Sequence, residues 1–184
     1  MINLLKSLGM YIFSFKKLKR VTFYLIGTGL GAGNSRYMPG TVGTIWGWAL
    51  FLIFDYLFTD ALLFAIIFFS FLIGVAASDF IEGEQKEKDP SKIVIDEMVA
   101  FWLVLFILPR GNDGLYIVQN SDTDFFLIQI QAFFMFRFFD IVKPWPTNIV
   151  DKRVSGGLGV MLDDIVAAFQ TLIIFSIFYR FELV

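Results

Sequence analysis

The chain has no cysteine and no histidine. Without thiols there are no disulfides, no thiolate nucleophile and no Cys/His zinc site; without imidazole there is no phosphohistidine and no Ser-His-Asp hydrolysis. Proline is scarce at 5 residues, and no Pro/Gly/Ser-rich linker, repeat or low-complexity tract divides the 184 residues, so one domain over 1–184 is expected. Charged residues make up only 17% and sum to -2, which gives no support to a nucleic-acid partner. A cleavable leader is not expected, because Lys6, Lys16, Lys17, Lys19 and Arg20 punctuate the start and no small-residue cleavage site follows an apolar core. Any chemistry must come from carboxylates, Lys, Arg, hydroxyls and a hard metal ion.

What is present is apolar: 57% hydrophobic residues with 24 Phe exceed what one soluble core of this length can bury. The expected class is all-α, a polytopic membrane helix bundle with four to five hydrophobic helices, some of them half-inserted, and an N-terminal interfacial helix. Leu4, Leu5, Leu8, Ile12 and Phe15 recur at helical spacing, so residues 2–18 are expected to lie on the membrane surface, within an amphipathic start over 1–26. Spans of about 17 to 25 residues fit at 41–58, 61–78, 93–108, 125–142 and 159–179, the third being short. With the N-terminus in the cytoplasm and all five crossing, most basic residues fall on the cytoplasmic side; Arg110 and Arg180 do not, and Arg137 lies just inside a span. That assignment also places Asp79, Asp96, Glu97, Asp140, Asp163 and Asp164 at one depth, the cytoplasmic ends of their helices.

Charges beside lipid-grade sequence are costly, and a chain that keeps them there uses them. Asp96-Glu97 and Asp163-Asp164 sit near the starts of two helices and Asp140 near the end of a third. Neighbouring helical residues point about 100° apart, so one of each pair can face a bundle interior. Carboxylates from three helices suit Mg²⁺, which takes one or two of them together with waters and phosphate oxygens. The expected metal set is Asp79, Asp96, Glu97, Asp140, Asp163 and Asp164, the last five being also the catalytic candidates. The competing reading is a set of caps and ion pairs with Arg137, Lys143, Lys152 or Arg153. Arg137, Asp140 and Lys143, at i, i+3 and i+6, share one broad helical face before Pro144 and Pro146 end the helix. Arg137 offers a fork to phosphate and Lys143 a point charge, unless Arg137 and Asp140 pair with each other.

A glycine-rich run, Gly27-Thr28-Gly29-Leu30-Gly31-Ala32-Gly33, precedes Pro39-Gly40-Thr41-Val42-Gly43-Thr44 at a helix start. Glycines allow close backbone approach and a helix start presents free N–H groups, so Thr41 and Thr44 are phosphate-binding candidates; a plain re-entrant loop is the alternative. The run is no nucleotide fingerprint, having neither a preceding strand nor a following Gly-Lys-Ser/Thr. Asp122-Thr123-Asp124 has the Asp-x-Asp form of aspartyl-phosphate enzymes, yet it falls in the loop 109–124, opposite the other acids.

In order and spacing these blocks resemble the bacterial phosphatidylglycerophosphatase A family. The blocks are the glycine run with Pro39–Thr44, Asp89-Pro90-Ser91 with Asp96-Glu97, Arg137 to Pro146, Asp151, and Gly156-Gly157-x-Gly159 with Asp163-Asp164. Ser155 stands where the family pattern leads one to expect His, in keeping with a mechanism that needs no imidazole. The resemblance implies a Mg²⁺-dependent lipid phosphomonoesterase of the bacterial inner membrane with its active site facing the cytoplasm. Its substrate would be a phospholipid in the bilayer, phosphatidylglycerophosphate, and its products phosphatidylglycerol and phosphate. Direct water attack and an aspartyl-phosphate intermediate both fit these residue types. A CDP-alcohol phosphatidyltransferase lacks support, since the Asp-x-x-Asp-Gly-x-x-Ala-Arg signature is absent. A cation transporter would spread its acids toward the midplane, and a non-catalytic scaffold would pair them off.

Overall fold

The computed structural model describes residues 16–108 and 122–180. Most of the expected interfacial helix, and most of the loop over 109–124, lie outside the described residues. Helix α1 covers 16–27, followed by a 3₁₀ turn at Ala32–Asn34; then come α2 (Pro39–Leu57), α3 (Asp60–Gln85), α4 (Ile95–Ile107), α5 (Asp122–Val142), α6 (Thr147–Arg153) and α7 (Gly157–Arg180). No strand occurs among the described residues. The protein is an all-α bundle.

The helix boundaries follow local chemistry. Pro39 begins α2, where its missing N–H is not needed. Thr59 separates α2 from α3, and Asp60 in the first turn of α3 faces the positive end of the helix dipole. Pro144 and Pro146 prevent α5 from running into α6. The described part of α1 does not stand alone: Arg20 Nε lies 3.1 Å from Glu84 and the Phe23 ring 5.1 Å from Phe80, which fixes α1 against the end of α3.

Helix α4 forms the centre, packed on α7, α2, α3 and α5. Nine of its 13 residues are buried, among them Met98, Val99, Phe101, Trp102 and Leu105. Its approach to α2 depends on Gly43 and Gly47, one turn apart. A Cβ at Gly43 would lie 2.5 Å from Cβ of Val94, and one at Gly47 3.0 Å from Cγ of Met98. Trp102 Nε1 then donates to the Gly47 carbonyl at 2.7 Å, and Trp48 Nε1 donates to Gln129 Oε1 at 2.6 Å, tying α2 to α4 and α5. Leaving such a buried donor unpaired costs about 1–3 kcal/mol, so these bonds fix helix register.

Three helices among the described residues, α2, α3 and α7, are long and apolar enough to cross a membrane. Their outward faces carry exposed apolar side chains such as Phe64, Phe68 and Phe69, as helices facing lipid do. The third expected span needs correction. Its helix, α4, has 13 residues, a length of about 20 Å against about 30 Å of hydrocarbon. It is a short helix enclosed by the bundle, and α6 is an element that hydropathy did not reveal.

Candidate active site

Five parts of the chain end at one place. The start of α2 contributes Met38, Pro39, Gly40 and Thr41; the connection before α4 contributes Asp89, Ser91 and Ile93. The first turn of α4 brings Asp96 and Glu97, the end of α5 brings Arg137, Asp140, Ile141 and the adjoining Lys143, and the start of α7 brings Asp163 and Asp164. Together they line a cleft of about 380 Å³.

Burial makes the carboxylates expensive: Asp96, Asp140, Asp163 and Asp164 are exposed by only 7%, 8%, 3% and 4%. Two cations answer part of that charge. Arg137 Nη1 lies 2.9 Å from Glu97 Oε1 and 2.5 Å from Asp140 Oδ2, and donates to Thr44 Oγ1 at 3.4 Å. Lys143 Nζ contacts Asp163 Oδ2 and lies 3.3 Å from Asp151 Oδ1. Burial alone would lower the Lys143 pKa, but the Asp163 hydrogen bond and the charges of Asp163, Asp151 and Asp164 outweigh it and hold the ammonium above the ordinary lysine range. Burial pushes the Asp89 carboxyl up; Lys143 opposes this, while Glu82, Asp151 and Asp140 add to it.

After these pairs are counted, three acid oxygens remain buried without a hydrogen-bond partner: Asp96 Oδ1, Glu97 Oε2 and Asp164 Oδ2. All three residues line the cleft. Among the described residues no three acidic side chains sit close enough to grip an ion together. Unsatisfied carboxylate oxygens with room for waters and a phosphate group are a donor set of the kind Mg²⁺ takes, since it rarely uses an all-protein cage.

The structure therefore unites Asp96, Glu97, Asp140, Asp163, Asp164, Arg137, Lys143 and Thr41. It separates two residues from them. Asp79 Oδ1 accepts the Gly157 N–H at 2.5 Å, so it caps the start of α7 and does not line the cleft. Thr44 is fully buried behind the cleft; its hydroxyl donates to the Gly40 carbonyl at 2.9 Å and accepts from Arg137. The Arg137–Asp140 ion pair is present, and it shares the guanidinium with Glu97. The glycine run packs and does not line the cleft: a Cβ at Gly29 would lie 2.5 Å from Met98 Sδ, and the Gly27 carbonyl accepts the Val94 N–H at 2.9 Å.

Met38, Asp89 and Ser91 are cleft residues that spacing did not single out. The available signal was Asp89-Pro90-Ser91 just ahead of Asp96. Met38, Asp89 and Lys143 also have left-handed backbones, at φ 48°, 48° and 45°. A non-glycine residue there costs of order 1–3 kcal/mol, and such strain collects at functional sites.

A helix bundle with membrane-crossing helices, and a cleft that sets two fixed cations among buried carboxylates, defines the class of membrane-embedded enzymes acting on phosphate groups. The phosphatidylglycerophosphatase A family profile matches residues 25–179. The chain belongs to that family and is a phosphatase. It is 30% identical to phosphatidylglycerophosphatase A of Escherichia coli over 145 residues, covering 79% of this chain and 76% of that protein. It is likewise 30% identical to the Haemophilus influenzae protein of the same name over 157 residues, covering 85% and 88%. A Bacteroides thetaiotaomicron protein with the provisional name phosphatidylinositol-3-phosphatase is 36% identical over 169 residues, covering 87% and 96%. No solved structure matches the chain.

Proposed function

We propose that the protein hydrolyses phosphatidylglycerophosphate to phosphatidylglycerol and phosphate in the bacterial inner membrane, with Mg²⁺ as cofactor and the cleft toward the cytoplasm. One observation carries the chemistry: partnerless oxygens of Asp96, Glu97 and Asp164 in the same cleft as Arg137 and Lys143.

In this reading Asp96 and Asp164 hold the ion, with Glu97, Asp140 and Asp163 completing the acidic wall. Mg²⁺ bound there supplies positive charge that offsets the charge developing on the phosphoryl group and the departing ester oxygen. Arg137, kept in place by Glu97, Asp140 and Thr44, presents its remaining N–H groups to phosphate oxygens. Lys143 and the open start of α2 at Thr41 hold the same group from other sides. A water oxygen attacks phosphorus and gives one proton to a cleft carboxylate, its other proton staying on the released phosphate, while the P–O ester bond breaks and the glycerol oxygen takes a proton from a protonated cleft carboxyl to leave as an alcohol. The variant route, in which a carboxylate attacks first and water then cleaves the aspartyl-phosphate, uses the same residues. Acyl chains stay in the bilayer beside the Phe-rich helix faces.

A second substrate, a lipid with phosphate on inositol, is favoured by the Bacteroides relative's name. The test is phosphate release by the purified full chain from phosphatidylglycerophosphate and from phosphatidylinositol 3-phosphate, with Mg²⁺ and with EDTA. Turnover of the first, lost in EDTA and reduced at least 100-fold in Asp96→Asn and Asp164→Asn, is the expected result. Turnover indifferent to both chelation and those substitutions would remove the carboxylate–metal reading. A preference for the inositol lipid would replace the substrate.

A further inference from the structure

We propose that Asp151, which does not line the cleft, is a positioning residue that sets the Lys143 ammonium for phosphate. The inference rests on the reading of Lys143 as a phosphate contact. A lysine ammonium has three N–H donors on a flexible stem. Were Asp163 its sole partner, the pair would close on itself and the tip would follow one carboxylate. Instead Asp151 Oδ1, from α6, lies 3.3 Å from Nζ while Asp163 on α7 holds Nζ as well. Two donors are thereby fixed by two helices, and the third is left for a substrate oxygen.

Asp151 is itself held from behind. Lys88 Nζ donates to the Asp151 carbonyl at 2.8 Å and lies 3.9 Å from its carboxylate. The backbone of Lys143 adds to the aim, since its left-handed turn after α5 sends the side chain toward α6 and α7. Asp151 acts through Lys143 and touches no reacting atom.

The experiment uses the full chain in lipid–detergent micelles and compares wild type, Asp151→Asn, Asp151→Glu, Lys143→Met and the Asp151→Asn/Lys143→Met double variant. The readouts are KM and kcat for phosphatidylglycerophosphate, and the rise in thermal midpoint with inorganic phosphate, which needs no turnover. Asp151→Asn is expected to raise KM about 10-fold with kcat within about 3-fold, and to weaken the phosphate-induced rise; Asp151→Glu recovers most of both. On the Lys143→Met background Asp151→Asn adds nothing, as for residues acting as a unit. Unchanged KM and phosphate response in Asp151→Asn, or equal losses on both backgrounds, overturns the proposal. If Lys143→Met leaves the phosphate response intact, the phosphate-contact reading fails and this inference with it. An effective Lys143→Met beside an inert Asp151→Asn overturns the inference alone. Should Asp151→Asn fold poorly, Asp151→Ser, which also removes the carboxylate, carries the same comparison of KM with kcat.

Discussion

Replacing Gly40 by alanine tests the cleft through one methyl group. The added Cβ would lie 2.7 Å from Glu97 Cδ and 2.9 Å from Oε2, and closer still to Oε1. Ordinary contact requires the Glu97 carboxylate to retreat by about 1.5 Å. It is not free to do so, because Oε1 receives Arg137 Nη1 at 2.9 Å and Arg137 is pinned again by Asp140 and Thr44. The outcome is either a broken charge-assisted bond, about 1.5–3 kcal/mol, or a displaced guanidinium. Misplacing a positioning group by an ångström costs about 100-fold in rate, so kcat/KM for phosphatidylglycerophosphate should fall about 100-fold, some 2.7 kcal/mol. Gly43→Ala is the contrast, since its Cβ meets the core residue Val94 at 2.5 Å. It should lower the thermal midpoint by overpacking, about 1–3 kcal/mol, and spare kcat/KM within about 3-fold. The assay is phosphate release in micelles beside thermal midpoints of the same preparations. Gly40→Ala within about 2-fold of wild type, or the same profile for both glycine variants, would refute the reasoning.

Arg137→Lys keeps the charge and loses the fork shared by Glu97 and Asp140; kcat/KM should fall about 10- to 100-fold, and an unchanged value would show that a point charge suffices. Asp79→Ala should lower stability by about 1–2 kcal/mol through loss of the Gly157 cap. The Mg²⁺ concentration for half-maximal activity should not move, and a shift would return Asp79 to the metal set. For Asp89 the folded carboxyl titrates above its ordinary value of 3.8, so ionising it costs more in the fold than in the unfolded chain. Its destabilising effect is absent below 3.8 and grows as pH rises through the folded value. Asp89→Asn should therefore raise the thermal midpoint near pH 7 and lose that gain toward pH 4, measured by melting across that range; a pH-independent gain contradicts the assignment.

Much of the bundle was legible because hydropathy and breakers agree: Thr59-Asp60 splits two apolar runs and Pro144 ends a third. The meeting of Asp96, Glu97, Asp140, Asp163 and Asp164 was legible from their common place at helix ends. What escaped depends on partners distant in the chain. Asp79 has the address of a cleft acid, and only its contact with Gly157 makes it a cap. Glycine spacing is the same whether the backbone admits an anion or a neighbouring helix; at Gly27 it admits α3, and at Gly29, Gly43 and Gly47 it admits α4 and the residue just before it. Helix α6, with Thr147 as its one buried residue, leaves almost no apolar periodicity to detect. Asp89 enters the cleft through a left-handed backbone turn that the spacing of the acids does not announce.

The left-handed conformations of Met38, Asp89 and Lys143 bear on how this protein could be hardened. Glycine at Met38 or Asp89 would relax the main chain, and a screen scored on heat tolerance alone would tend to select it, whereas at Lys143 it would also leave Asp163 buried without its cation. Each such gain would strip a side chain from the mouth of the cleft. Thermal robustness and turnover should thus trade against each other at the Met38 and Asp89 junctions more steeply than anywhere on the lipid-facing helices.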